Sequence, residues 1–245
     1  MQRTNKERRV AKDAFRRMNK AEKIDYIFTY YKLPIFTVCV VLALFLQAGI
    51  HALTKKDPIL YNAYANVSFG DTLREELTDG YLAYSGKNPN KFEITEYPDL
   101  YLSEDASGEN HQYAYASRIK VLGSISAKRM DIVFMNKEAY DLMSESGLLA
   151  DLKSIQEIDA SLYKRLELYL TNNTVILEDN SVEFDLGEAS VYSAVTEEQT
   201  NAVNVTSLPL IHRAQTDGDV YAAIIANSPR ITEALSYLDY LLSAD

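Results

Sequence analysis

The longest apolar run of the chain covers residues 33–53, where 21 consecutive positions carry no charged side chain. A helix rises 1.5 Å per residue, so a run of this length spans the roughly 30 Å hydrocarbon layer of a bilayer. The pattern therefore predicts a single transmembrane helix over residues 33–53, which would anchor the protein in the lipid bilayer.

The charges on the two sides of this run are unequal. Residues 1–32 contain ten Lys or Arg and four Asp or Glu. Cations next to a membrane span are retained in the cytoplasm, so we expect residues 1–32 to form a cytoplasmic basic segment. The remainder, residues 57–245, would be an extracellular domain. A cleaved signal peptide is the competing interpretation. However, the basic segment and the apolar run are both longer than the charged and apolar regions of signal peptides.

In the first half of the outer domain, segments with an apolar residue at every second position alternate with segments that have one at every third or fourth position. The first spacing is typical of strands and the second of helices. Three segments have the composition of strands, namely 59–67, 91–97 and 131–135. A helix is predicted after each of them, and we expect the helix over residues 113–128 to turn Tyr115, Ile119, Leu122 and Ile125 inward. Strands that alternate with helices form parallel sheets, because parallel neighbours need crossover connections.

The second half of the domain has a different pattern. Residues 174–177 and 181–186 are separated by a polar Glu-Asp-Asn turn, which predicts an antiparallel hairpin. Residues 220–226 have the composition of a buried strand, and Ser228 with Pro229 predicts the start of a final helix. The expected fold is thus an α/β domain with a parallel or mixed sheet flanked by helices.

Charge and cysteine content narrow the classes of function. The net charge is -10 although the first 32 residues are basic, so the outer domain is strongly acidic and should repel nucleic acid. The single cysteine, Cys39, lies inside the apolar run. No disulfide is therefore available to the domain, and its core must be held by burial.

Three stretches together resemble the extracellular solute-binding proteins of ABC transporters in Gram-positive bacteria, which have the type 2 periplasmic-binding fold. They are the helix over 113–128 followed by DIVFM, the segment MSESGLLADL at 143–152, and IIANSPRITEALSYLDYLL at 224–242. The resemblance covers most of residues 57–245. It implies a small solute as ligand and a transporter or other membrane complex as partner.

The chain also departs from that family. Members have two lobes and grip the ligand in the cleft between them, whereas the second lobe here would be reduced to residues 170–216. The position before the Asp-Val strand, which often holds Pro in the family, holds Met130. The domain contains no Trp that could stack on a sugar. These departures leave open whether any ligand cleft is retained.

A retained pocket would lie at the carboxyl ends of the parallel strands, where helix N-termini present free amide groups. The candidate ligand-binding residues are those that follow the first strand, the third strand and the last strand: Phe69, Gly70, Asp71, Asn136, Lys137, Asn227 and Ser228. The same residue types are common in caps and turns. A purely structural role is therefore the alternative for all seven residues.

No motif indicates catalysis or a bound cofactor. The three histidines are scattered, and the sequence contains no H-E-x-x-H, C-x-x-C, G-x-S-x-G or glycine-rich phosphate loop. The acidic loops at 104–109 and 178–180 lack the ligand spacing of a calcium loop. We therefore expect no cofactor, no metal and no enzyme activity. The leading hypothesis is a tethered binding domain for a small solute or a protein partner, and the alternative is a structural or assembly subunit of a membrane complex.

Overall fold

The computed structural model describes residue 16 and residues 18–30, 32–104, 110–214 and 216–244 of the chain. Residues 1–15 of the predicted basic segment lie outside the described residues. Contacts divide the chain into two compact units, residues 1–55 and residues 56–245.

Among its described residues, the first unit contains two helices, α1 (Lys20–Tyr30) and α2 (Lys32–Thr54). Asn19 and Glu22 form a reciprocal capping box at the start of α1, with each side chain 2.9 Å from the other residue's backbone nitrogen. Within the part of the chain that the structure describes, no helix is identified as long and apolar enough to cross a membrane. The predicted transmembrane helix at residues 33–53 is not supported by this finding and stays a prediction.

The second unit is built on a six-stranded mixed sheet. In chain order the strands are β1 (Asp57–Ala65), β2 (Phe92–Leu100), β3 (Ile132–Met135), β4 (Leu170–Asp179), β5 (Ala194–Asn204) and β6 (Tyr221–Ile224). Their spatial order is β2-β1-β3-β6-β5-β4. The first three strands are mutually parallel, whereas β6, β5 and β4 each pair antiparallel with a neighbour. The expectation of an α/β domain with a mixed sheet is confirmed.

Helices and short turns connect the strands. Between β1 and β2 lie α3 (Asp71–Glu75), a π-helical turn (Glu76–Gly80) and α4 (Tyr81–Tyr84). Then follow α5 (His111–Ser126), α6 (Lys137–Glu145), a 3₁₀ turn (Leu152–Ser154), α7 (Ile155–Ile158), α8 (Ala160–Leu166), α9 (Ser181–Asp185), α10 (Pro209–Arg213) and α11 (Ile231–Ser243).

Alternation along the central strands separates two hydrophobic cores, because successive strand side chains point to opposite faces of a sheet. Leu60, Tyr64 and Phe134 belong to the core that also contains buried residues of α3, α4, α8 and α11. Ala63 and Val133 belong to the core that contains buried residues of α5 and α6. Helices therefore cover both faces of the sheet.

Tyrosines of α11 bond to carbonyl groups in the π-helical turn. The Tyr237 hydroxyl donates to the Leu77 carbonyl and the Tyr240 hydroxyl to the Glu76 carbonyl, both at 2.8 Å. A Cβ atom at Gly80 would lie 2.5 Å from the Tyr240 hydroxyl, so only glycine leaves room for this approach. The buried tyrosines thus fill the core and also satisfy backbone acceptors that a π turn leaves without the usual helical partner.

The predicted hairpin of residues 174–177 and 181–186 is wrong in its second strand. Residues 174–177 lie inside β4, but residues 181–185 form the helix α9, and β5 is the strand that pairs with β4. The Asp179 carboxylate accepts hydrogen bonds from the backbone nitrogen of Ser181 at 3.1 Å and from its hydroxyl at 2.7 Å. These local bonds compete with a strand ladder and favour a turn into a helix.

The predicted inward face of α5 is also wrong, except at Ile125. Tyr115, Ile119 and Leu122 are exposed in the structure. The buried residues of α5 are Ala114, Ser117, Val121 and Ile125. Val121 and Ile125 belong to the core that also contains Ala63 and Ala65 of β1.

Candidate functional site

Five of the seven predicted ligand-binding residues follow strands that end at one edge of the sheet. Asn136 caps α6, because its side chain accepts a hydrogen bond from the Ala139 backbone nitrogen at 3.0 Å. Lys137 forms an ion pair with Asp141 one turn further along the helix. Both residues thus have a partner within α6, and their role in ligand binding stays a prediction.

The other three residues at this edge follow β1. Phe69 is buried and makes edge contacts with the rings of Tyr64 and Phe134. Gly70 occupies the position before α3 in an extended conformation, and Asp71 is exposed in the first turn of that helix. Phe69 therefore serves the core, while Gly70 and Asp71 form the start of a helix.

Asn227 and Ser228 lie at the opposite edge of the sheet. Strand β6 runs antiparallel to β3, with Ile224 opposite Ile132, so the residues after β6 meet the start of β3 instead of its end. The Ser228 hydroxyl donates to the buried Asp131 carboxylate at 2.6 Å, and the Asn227 side chain donates to the Ile125 carbonyl at 3.1 Å. The structure does not bring these two residues together with the other five.

A cavity of about 150 Å³ lies between α5 and α6, away from the predicted positions. Its walls are mostly apolar, with polar side chains from the segment that follows β2 and from the first half of α5. The lining residues are Leu102, Ser103, Glu104, His111, Ala114, Tyr115, Arg118, Val121, Leu122, Leu142, Met143, Ser146 and Leu148. We call this cavity and the exposed face of α5 beside it the α5–α6 groove.

Asn66 positions one wall of the groove. Its side-chain amide donates to the Leu102 carbonyl at 2.6 Å and accepts from the Leu102 nitrogen at 2.8 Å. Asn66 has a φ of 56°, a left-handed conformation that Asn adopts more readily than most residues. Sequence reasoning missed this residue, because Asn66 fell inside the predicted strand 59–67, whereas β1 ends at Ala65.

Glu104 lines the cavity, and its carboxylate lies near that of Glu145. Partial burial, together with the nearby charges of Glu104 and Asp141, raises the pKa of Glu145 above its ordinary value. The cation of Arg118 and the imidazole of His111 line the same cavity as Glu104. The groove thus combines an apolar wall with polar groups of both signs at its margin.

An exposed apolar stripe runs along α5 beside the cavity. Tyr115, Ile119 and Leu122 are spaced at i, i+4 and i+7, so they share one face of the helix. Their exposed fractions are 62%, 54% and 44%, and the neighbouring Tyr113 is 71% exposed. Large apolar side chains in such a row are typical of binding surfaces, whereas single ones are ordinary surface features.

The described residues offer no alternative centre for metal chemistry. Nowhere in the described part of the domain does a group of three or more His, Cys, Asp or Glu side chains converge in a way that could hold a metal ion.

Comparison with known proteins found no matching family, no matching curated protein and no matching solved structure. The resemblance to solute-binding proteins therefore stays a prediction.

Proposed function

We propose that residues 56–245 form a non-catalytic binding domain that recognises an apolar segment of a protein partner in the α5–α6 groove. The observation that carries the proposal is the exposed stripe of Tyr115, Ile119 and Leu122 beside a cavity with largely apolar walls. Leaving three such side chains in water has a free-energy cost that a bound partner would remove.

The size of the cavity favours a protein partner over a small solute. Pockets for small molecules usually measure about 300 to 1,000 Å³ and enclose most of the ligand. The cavity here is about 150 Å³ and thus suits one or two side chains. Side chains that anchor protein interfaces fill pockets of this kind near the centre of the contact.

The margin of the groove suits an interface between folded chains. Glu104, His111 and Arg118 lie at the cavity, so a partner can form hydrogen bonds or ion pairs around its apolar anchor. Polar rims around apolar centres are the usual anatomy of protein interfaces. The bonds between Asn66 and Leu102 hold one wall in place before binding, which reduces the entropy lost on association.

The cellular location is a further part of the proposal. We place the domain at the outer face of the cell membrane, tethered through residues 33–53, because that run has no charge and the cations precede it. Protease added to intact cells tests this orientation. We expect the protease to digest the domain and to leave the first 32 residues intact. Protection of the domain would overturn the proposed location, but it would not contradict the proposed binding function of the groove.

Site-specific photo-crosslinking in cells tests the groove. A photoreactive residue at position 119 of the full chain is expected to give a discrete adduct with one partner. The matched control carries the same residue at Leu168, which is 90% exposed but belongs to a different surface. Leu122→Asp, a change at a partly exposed position, should abolish the adduct at position 119 because it puts a charge into the apolar contact.

Three outcomes would count against the proposal. Equal adducts at positions 119 and 168 would show that the stripe has no selectivity. Protection of the protein against heat by sugars, amino acids or short peptides would favour the solute-binding function. Loss of the adduct on deletion of residues 1–20 would favour the assembly-subunit function, because a binding role of residues 56–245 does not need that segment.

A further inference from the structure

A second apolar surface lies at the far end of the β4–β5 ribbon. We call residues 177–198 the ribbon tip; it comprises the ends of the two strands and the connection that contains α9. Seven large apolar side chains of the tip are at least 45% exposed: Leu177, Val182, Phe184, Leu186, Val191, Tyr192 and Val195. The tip is formed by other elements than those that line the α5–α6 groove.

Hydrogen bonds give the tip a defined shape. The Tyr192 hydroxyl donates to the Asp179 carboxylate at 3.1 Å. The Asn180 side chain donates to the Val191 carbonyl at 3.0 Å and accepts from the Ser193 nitrogen at 2.7 Å. These bonds connect the two sides of the connection across its base, so the apolar side chains are presented on an ordered surface. An ordered surface loses less conformational entropy when it binds.

The charge of the tip has one sign. Seven acidic residues fall within residues 177–198, and no Lys or Arg occurs anywhere from Leu166 to His212. Hydrogen bonds from Ser181 lower the pKa of Asp179, which therefore stays charged at neutral pH. Such a surface repels anionic lipid headgroups, even though its apolar content alone would suit a membrane.

We propose that the ribbon tip binds a cationic amphipathic helix of a protein partner. A helix with leucine-like side chains on one face and Lys or Arg along its margins matches both properties of the tip, since residues 182–188 carry exposed apolar side chains as well as carboxylates. The apolar contacts supply most of the affinity. The opposite charges speed the encounter and select against acidic partners.

A designed peptide provides a direct test. The probe is a fluorescently labelled 18-residue peptide of Leu and Lys with helical amphipathic spacing, and its binding to the purified full chain is followed by fluorescence anisotropy. A second peptide keeps every Lys but replaces Leu with Ser. Only the Leu peptide is expected to bind, because the Ser peptide keeps the charge and loses the apolar face.

Variants of the tip separate the apolar contribution to peptide binding from the contribution of charge. The double change Phe184→Ser and Val191→Ser removes exposed side chains and should weaken peptide binding about tenfold or more, without changing the melting temperature. The triple change Glu183→Gln, Asp185→Asn and Glu188→Gln should weaken binding at low salt and flatten its salt dependence. Leu168→Ser, at an exposed apolar residue outside the tip, is the matched control and should bind as the wild type does.

Each other result overturns the proposal. Equal affinity for the Ser peptide would mean unspecific charge attraction, and equal affinity of the Phe184 and Val191 variant would place the binding site elsewhere. Light scattering tests whether a second copy of the chain covers the tip, because it measures the mass of the particle in solution. If the wild type is a dimer that the double change converts to a monomer, and neither protein binds the peptide, the tip is covered by a second copy of the chain.

Discussion

At the scale of single residues, Asp131 combines several polar contacts at the start of β3. It is fully buried. Its carboxylate accepts hydrogen bonds from the Tyr61 backbone nitrogen at 2.9 Å, from the Ser228 hydroxyl at 2.6 Å and from the Arg230 guanidinium at 3.0 Å. The Arg230 guanidinium also lies 4.7 Å from the centre of the Tyr61 ring. The carboxylate therefore joins β1, β3 and the segment that precedes α11.

Asp131→Asn is expected to lower the free energy of unfolding by about 3 to 5 kcal/mol, because the substitution leaves the Arg230 cation without its buried partner. Ser228→Ala removes one hydrogen bond to the same carboxylate and should cost about 2 kcal/mol. Urea unfolding of the two variants measures both losses.

The control for this pair is Asn136→Ala, which removes a helix cap at the other edge of the sheet and should cost about 1 kcal/mol. Stability of the Ser228→Ala variant equal to that of the wild type would contradict the structural role of Ser228. In that case the prediction that Ser228 contacts a ligand would regain support.

At the scale of secondary structure elements, α5 has one buried face and one exposed face. Val121 is 3% exposed and belongs to a core, whereas Ile119 is 54% exposed. Val121→Ala is therefore expected to lower the free energy of unfolding by about 2 kcal/mol, since buried methyl groups are lost. Ile119→Ala should change it by less than about 0.5 kcal/mol.

Thermal or urea unfolding of this matched pair checks which face of α5 is buried. A larger loss for Ile119→Ala than for Val121→Ala would contradict the structure and restore the face that the sequence predicts. The same variants bear on function, because Ile119→Ala should reduce the photo-crosslinked adduct of the groove while leaving the fold intact.

The elements of the first half of the domain could be predicted because their signals are local. Each of the three parallel strands overlaps the predicted segment, and Asn136 begins a helix as its residue type suggests. The face of α5 could not be predicted, because large apolar residues on a helix ordinarily turn inward. Here the small residues Ala114 and Ser117 lie on the buried face, while Tyr115 and Ile119 are exposed.

The direction of β6 marks the limit of prediction for the site. Residues 221–224 form a strand, as expected, but nothing in their composition distinguishes parallel from antiparallel pairing. After β3 the chain first forms β4 and β5 at the far side of the sheet. It then forms β6 beside β3, running in the opposite direction to β3. Asn227 and Ser228 were therefore assigned to the wrong edge, and the α5–α6 groove had no sequence motif that could reveal it.

At the scale of the whole molecule, the two hydrophobic cores lie entirely within residues 56–245. Cys39, the only cysteine of the chain, lies outside that unit. Burial on both faces of the sheet must therefore provide the stability of the domain without a disulfide and without residues 1–55. A domain of this length buries roughly 70% of the surface that its unfolded chain exposes, which suffices for independent folding.

A fragment of residues 56–245 is accordingly expected to unfold in one cooperative transition, with a melting temperature within about 3 °C of that of the same unit in the full chain. Far-ultraviolet circular dichroism follows the melt, and near-ultraviolet signals from the buried tyrosines report side-chain packing. A reducing agent should change neither curve, because the fragment contains no cysteine. A broad transition with lost near-ultraviolet signal would show that residues 1–55 contribute to the core, and the proposed autonomy of the binding domain would then be wrong.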